Sequence, residues 1–112
     1  MSEAEEQITV VEYCNLKHIP VYHIPNEGKR SYQAGRWLKR QGLSAGVPDL
    51  CIPVAKGRFH SLYIEMKAKG GKVTSHQQEW IQLLRSQGMA AYVCYGATNA
   101  IDLIDSYIAE KL

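Results

Sequence analysis

Two short segments combine residue types that could do chemistry. Val-Pro-Asp at 47–49 sets a carboxylate just ahead of the apolar run Leu50-Cys51-Ile52, and Glu-Met-Lys at 65–67 closes a run that begins at Phe59. Charges at or inside strand-like stretches are costly to bury without partners. Two carboxylates gathered together suit a hard cation such as Mg²⁺, which takes one or two carboxylates and completes its shell from water and phosphate. Such an ion acidifies water and offsets charge growing on a phosphodiester. A lysine beside it can orient or deprotonate that water, or stabilise the transition state. A plainer reading is open as well: Glu65 and Lys67 form a salt bridge, and Asp49 is a turn residue after Pro48.

The elements decide whether these groups can meet. In "LYIEMK" (62–67), Leu62, Ile64 and Met66 face one way and Tyr63, Glu65 and Lys67 the other, because strand side chains alternate. Glu65 and Lys67 then lie roughly 7 Å apart on one face. "DLCIPV" (49–54) reads as a strand, "AKGR" (55–58) as a hairpin turn and "FHSLYIEMK" (59–67) as its antiparallel partner. That hairpin brings Asp49, at the start of one strand, to Lys67, at the end of the other.

Flanking elements supply further polar candidates. Ser2 followed by Glu5 makes a capping box for a helix over 2–17, with Ile8, Val11 and Leu16 as part of an apolar side. On that helix Glu3, Gln7, Val10 and Cys14 fall along one stripe, so Glu3 could reach the same site. Glu6 replaces it if the helix is rotated, and both could be plain first-turn acids that favour the helix dipole. Thr74 or Ser75 caps a later helix running to about Ser86, with Gly88 ending it. There Gln77, Trp80, Ile81 and Leu84 follow i, i+3, i+4, i+7, which turns Gln77 inward. A buried amide needs partners; a polar site at the preceding strand end would supply them, and capping with Thr74 is the competing role.

The remaining pattern is a strand at 19–24, a loop over 25–46 with a helical piece at 33–41, a strand at 89–95 and a last helix from Thr98 with Ile101, Ile104, Ile108 and Leu112 on one stripe. The order α-β-β-β-α-β-α predicts an α/β domain, a mixed sheet flanked by helices. The 112 residues suffice for one domain, 1–112, and at this size oligomerisation is a live option.

Net charge is +2, from thirteen basic and eleven acidic residues, and says little until the charges are located. Residues 26–46 carry Lys29, Arg30, Arg36, Lys39 and Arg40 against Glu27 alone; residues 56–72 carry Lys56, Arg58, Lys67, Lys69 and Lys72 against Glu65. Basic segments interleaved with glycine and Trp37 suit a phosphate backbone, and a solvated surface is the bland alternative. Packing is the preferred role for Trp37, with stacking on an unpaired base as the alternative. Three cysteines, Cys14, Cys51 and Cys94, stand in apolar stretches without a CxxC pair, which predicts buried free thiols in a reducing compartment. With no leader segment and no apolar run near the roughly 20 residues of a membrane span, the expected location is cytoplasmic, in a bacterial or phage-infected host cytosol.

Pro48-Asp49 followed by Glu65-Met66-Lys67 resembles the PD-(D/E)XK nuclease signature. "SEAEEQ", "IPNEGKR", "GLSAGVPDL", "YIEMKAKGGKVTSHQQEW" and "GMAAYVCYG" occur in the order seen in the VRR-NUC branch of that superfamily. The likeness covers nearly the whole chain and is closest to the stand-alone viral or bacterial form. It implies a restriction-endonuclease-like core. It implies Mg²⁺ or Mn²⁺ on Asp49, Glu65 and the Met66 carbonyl, with Lys67 as the catalytic lysine. Gln77 matches the family's glutamine after the motif, and Glu3 matches the N-terminal helix acid. Asn26 and Arg30 match a polar, DNA-contacting loop; Lys29, Arg36, Lys39, Arg40, Lys69 and Lys72 are the further nucleic-acid-binding candidates. His76 stands where the family often has Glu, in "TSHQ" for "SPEQ". Similar single-domain members are homodimers that act on branched DNA in the manner of Holliday junction resolvases.

The expected activity is therefore a metal-dependent DNA endonuclease, probing DNA shape more than base sequence. A non-catalytic DNA-binding module using the same basic loops is the first rival. A small structural or dimerisation protein with a salt-bridge network is the second.

Overall fold

The computed structural model describes residues 1–25 and 31–112. Asn26, Lys29 and Arg30, three of the nucleic-acid-binding candidates, lie outside the described residues.

The chain runs α1 (Glu3–Leu16), β1 (Tyr22–His23), α2 (Tyr32–Arg40), β2 (Leu50–Ile52), β3 (Leu62–Lys67), α3 (Ser75–Ser86), β4 (Ala90–Tyr95) and α4 (Ala97–Ile108). The sheet order is β1-β2-β3-β4, antiparallel at the first two pairings and parallel at β3–β4. Leu50 pairs with Ile64 and Ile52 with Leu62, so the expected hairpin forms. Its turn holds Gly57 at φ +57 between Lys56 and Phe59, which bridge back to each other.

Alternation along the strands sorts the core into two layers. Leu62, Ile64 and Met66 of β3 and Ala90 and Cys94 of β4 pack with Val10 and Cys14 of α1 and Ala100, Ile104 and Tyr107 of α4. On the other face Tyr63, Ala91 and Val93 pack against Trp80, Ile81 and Leu84 of α3. The result is the expected mixed sheet between helical layers, an α/β fold of the restriction-endonuclease-like kind.

Several boundaries differ from the sequence reading, each for a physical reason. β1 keeps only two residues of the expected 19–24, because Pro20 and Pro25 cannot donate to a ladder. α4 starts at Ala97 and ends at Ile108, and its buried stripe is Ala97, Ala100, Ile104 and Tyr107 rather than Ile101, Ile104, Ile108 and Leu112. Tyr107 wins the inward position because its hydroxyl donates to the Val54 carbonyl at 2.6 Å. On α1, Ile8 and Leu16 are 55% and 76% exposed, and the stripe that turns inward is Val10 and Cys14, the one headed by Glu3.

All three cysteines are free and buried. Burial pushes the Cys94 thiol up to about 11, and burial followed by the nearby Asp105 carboxylate raises that of Cys14. Both stay protonated at neutral pH and are poor nucleophiles.

Candidate active site

The site forms where the β2–β3 hairpin opens. Asp49 is 5% exposed, Glu65 1% and Lys67 9%. The Asp49 Oδ2 accepts from the Met66 backbone N–H at 2.8 Å, which locks the carboxylate to the end of β3. Its carbonyl accepts from Ile24 N–H at 2.7 Å and lies 2.9 Å from His23 Nδ1. The same Nδ1 lies 3.1 Å from Gln7 Nε2, and the tautomer of His23 decides which of the two contacts is a hydrogen bond. Asp49 is thus fixed from both neighbouring strands before any ligand arrives.

Glu65 and Lys67 lie on one strand face as alternation requires. Lys67 Nζ stands 3.8 Å from Glu65 Oε2, an ion pair too long to be a hydrogen bond. The stem of Lys67 is covered by the Ala68–Gly71 turn, where a Cβ on Gly71 would come within 3.4 Å of Lys67 Cδ. Gln77 takes both roles that the sequence offered. Its Oε1 accepts from Thr74 N–H at 2.9 Å in a capping box, and its Nε2 donates to Glu65 Oε2 at 3.2 Å. Capping occupies one end of the amide and so aims the other at Glu65.

Three acids in the first turn of α1 do three jobs. Glu5 closes the helix's own capping box, and the Ser2 backbone and hydroxyl hold its carboxyl below the ordinary value. Glu6 reaches across to α4, where it accepts from the Ala97 backbone N–H. Gly96, the N-cap there, has no side chain to do this. Glu3 joins the hairpin acids: one carboxylate oxygen each from Glu3, Asp49 and Glu65 lie within 4.8 Å of one another. A salt bridge plus a turn residue would explain Glu65, Lys67 and Asp49, but not the arrival of a third acid from another element.

The charges suit a cation. Among the described residues, three carboxylates and the Lys67 ammonium come together, two of the acids are buried, and oxygen donors are what a hard divalent ion prefers. Like-charged carboxylates at this separation repel unless a cation sits between them or a proton is shared.

Among the basic candidates, Lys69 and Lys72 are exposed on the loop after β3, beside Lys67. Arg36, Lys39 and Arg40 are exposed on α2. Trp37 is 60% exposed, so its preferred packing role is not met within this chain. Sequence reasoning missed His23, since nothing in "VYHI" signals a contact with Asp49 across the β1–β2 pairing.

The VRR-NUC domain family model matches residues 1–98. The chain belongs to the VRR-NUC family. It is a nuclease family, and nuclease chemistry on DNA is its family-level activity. Among solved structures, one titled "VRR_NUC domain protein" is 31% identical, with a TM-score of 0.84 over 98% of this chain and 90% of that one. No curated protein matches the chain. Among the described residues no helix is long and apolar enough to cross a membrane.

Three substitutions follow from this VRR-NUC geometry. Gln77→Glu keeps an oxygen for Thr74 N–H but removes the donor to Glu65 and adds a charge beside it. It is expected to destabilise the metal-free protein by about 1–3 kcal/mol, a deficit that shrinks when Mg²⁺ or Mn²⁺ is added, as read by thermal melts with and without EDTA. Glu6→Ala uncaps α4 and is expected to cost about 1 kcal/mol with cleavage retained. Glu3→Ala leaves that cap in place and is expected to reduce cleavage.

Proposed function

We propose that the chain is a single nuclease domain, 1–112, that hydrolyses DNA phosphodiesters with Mg²⁺ or Mn²⁺. The observation that carries this is the convergence of Glu3, Asp49 and Glu65 beside Lys67. Asp49, Glu65 and the Met66 carbonyl would hold the ion. A strand residue's C=O leaves on the same side as its N–H, and the Met66 N–H meets Asp49. When bound, the ion acidifies water and offsets charge on the phosphoryl oxygens. Lys67 orients the attacking water or takes its proton, and its charge offsets the growing negative charge on phosphorus-bound oxygen. Gln77 holds Glu65 in place through its amide, and Glu3 adds the third carboxylate.

Lys69, Lys72, Arg36, Lys39 and Arg40, with Asn26, Lys29 and Arg30, hold the DNA backbone. The absence of a base-reading motif favours selection by DNA structure, branched forms such as four-way junctions in particular. The chain works as a homodimer, whose two-fold axis relates two sites as symmetric strand cleavage needs. Exposed Ile8 and Leu16 on α1 offer apolar surface for that pairing. Three buried free thiols suit a reducing cytosol.

The test is cleavage of labelled four-way junctions, flaps, nicked and linear duplexes in Mg²⁺, Mn²⁺ or EDTA. Metal-dependent cutting that disappears in Asp49→Ala and Lys67→Ala, while DNA binding persists, is the expected result. Binding without cutting under every condition would leave the non-catalytic module instead.

A further inference from the structure

α2 is unlike the other helices: it buries no residue. Gln33, Arg36, Trp37 and Arg40 follow i, i+3, i+4, i+7 and together line a shallow surface recess of about 250 Å³. Tyr32 is 78% exposed and Trp37 60%. Arg36 stacks over the Tyr32 ring at 5.7 Å and Arg40 over Trp37 at 5.5 Å. The helix sequence "YQAGRWLKR" contains no acid. The patch therefore offers ring faces and guanidinium charge together.

Two occupants compete for such a face. A second copy seated across a two-fold axis would set the patch against itself, bringing Arg36 and Arg40 of both copies into one interface with no acid on the helix to answer them. Like charges brought together across an interface are strongly unfavourable. Nucleic acid supplies phosphates for the guanidiniums and π-faces for the rings. A paired duplex hides those π-faces in its stack, so the rings need nucleotides that are unpaired.

The geometry points to α2 as a stacking ledge for unpaired nucleobases, with Trp37 as its main platform and Tyr32, Arg36 and Arg40 around it. The ledge is tied to the candidate active site. Arg40 precedes Asp49 by a link that spans at most about 30 Å even when fully extended. That link is pinned to α3, where Trp80 Nε1 donates to Ser44 Oγ at 3.2 Å and Gly46 lies against His76. The preferred DNA therefore carries single-stranded or bulged nucleotides within about ten positions of the phosphate at the acidic cluster. This rests on the proposed nuclease reading for what is cut, but not for what is bound.

The experiment is binding in EDTA, measured by fluorescence anisotropy. The probes are a fully paired duplex, the same duplex with a short internal bulge, and single-stranded oligo-dT of matched length. The wild type is expected to favour the two probes with unpaired bases. Trp37→Ala lowers the ratio of unpaired to paired affinity about tenfold or more, and Trp37→Phe keeps most of it. Oligo-dT quenches tryptophan emission in the wild type and less in Trp37→Ala. Circular dichroism and sedimentation accompany each variant. An equal loss on all three probes, no loss on any, or a change from dimer to monomer in Trp37→Ala overturns the ledge. Metal-dependent cleavage is scored separately, so a ledge without cutting sinks only the nuclease reading, and cutting without a Trp37 effect sinks only the ledge.

Discussion

Asp49→Asn is expected to leave the chain folded and to lower cleavage by about a thousandfold or more. The fold survives because the acceptor role does. Asp49 Oδ2 takes the Met66 N–H at 2.8 Å, and an asparagine carbonyl oxygen can take the same bond in the same volume. What disappears is one negative charge from the cluster of Glu3, Asp49 and Glu65. Melting temperature should then respond to metal differently in the two proteins. In EDTA the two melt close together, because the bond to Met66 N–H is kept. With Mg²⁺ or Mn²⁺ at a hundred times its dissociation constant, the wild type gains about 2.7 kcal/mol. At about 4–8 °C per kcal/mol for a small domain, that is a rise of roughly 10–20 °C. The variant loses most of this gain. Equal metal-induced shifts in both proteins, or retained cleavage in Asp49→Asn, would remove the acidic cluster from the chemistry.

The parts of this site legible in the sequence are those that local periodicity dictates. Alternation alone places Glu65 and Lys67 on one face, and the hairpin turn around Gly57 brings Asp49 opposite them. The i, i+3, i+4, i+7 spacing turns Gln77 inward, where it is 4% exposed. What periodicity leaves open is the rotation of a helix about its axis when both sides carry candidates. Glu3 and Glu6 stand on adjacent sides of α1, and their roles are divided by a partner far along the chain. Glu6 is drawn to the Ala97 N–H because Gly96 cannot cap α4. The same long-range term moved the start of α4 and rotated its buried stripe toward Tyr107, whose hydroxyl needs the Val54 carbonyl. His23 was hidden for a similar reason. Its contact with Asp49 exists only once β1 has docked on β2, and a two-residue edge strand leaves little trace in a sequence.

Gly46 shows how the loop before Asp49 is held, and Gly46→Ala is expected to be the most destabilising small substitution near the site. Its φ is +88, a backbone conformation that alanine adopts poorly. A Cβ built there would also lie 2.5 Å from the His76 carbonyl carbon and 2.7 Å from its Cβ and carbonyl oxygen. Two of these atoms are backbone, so no rotamer change clears the overlap. Backbone strain of about 1 kcal/mol and overpacking of about 1–3 kcal/mol together predict a loss of about 2–4 kcal/mol. Gly42→Ala is the internal control. Gly42 sits at φ +109 with nothing within 4 Å of its built Cβ, so it carries the conformational cost alone. The difference between the two variants in chemical denaturation isolates the contact with His76. That contact bears on function because His76 lies in the first turn of α3, next to Gln77, while Gly46 leads through Val47 and Pro48 to Asp49. Pushing the loop off α3 separates the group that orients Glu65 from the acid that must meet it. Cleavage by Gly46→Ala should therefore fall even at temperatures where the variant is fully folded, whereas Gly42→Ala should cut at the wild-type rate once its smaller stability loss is allowed for.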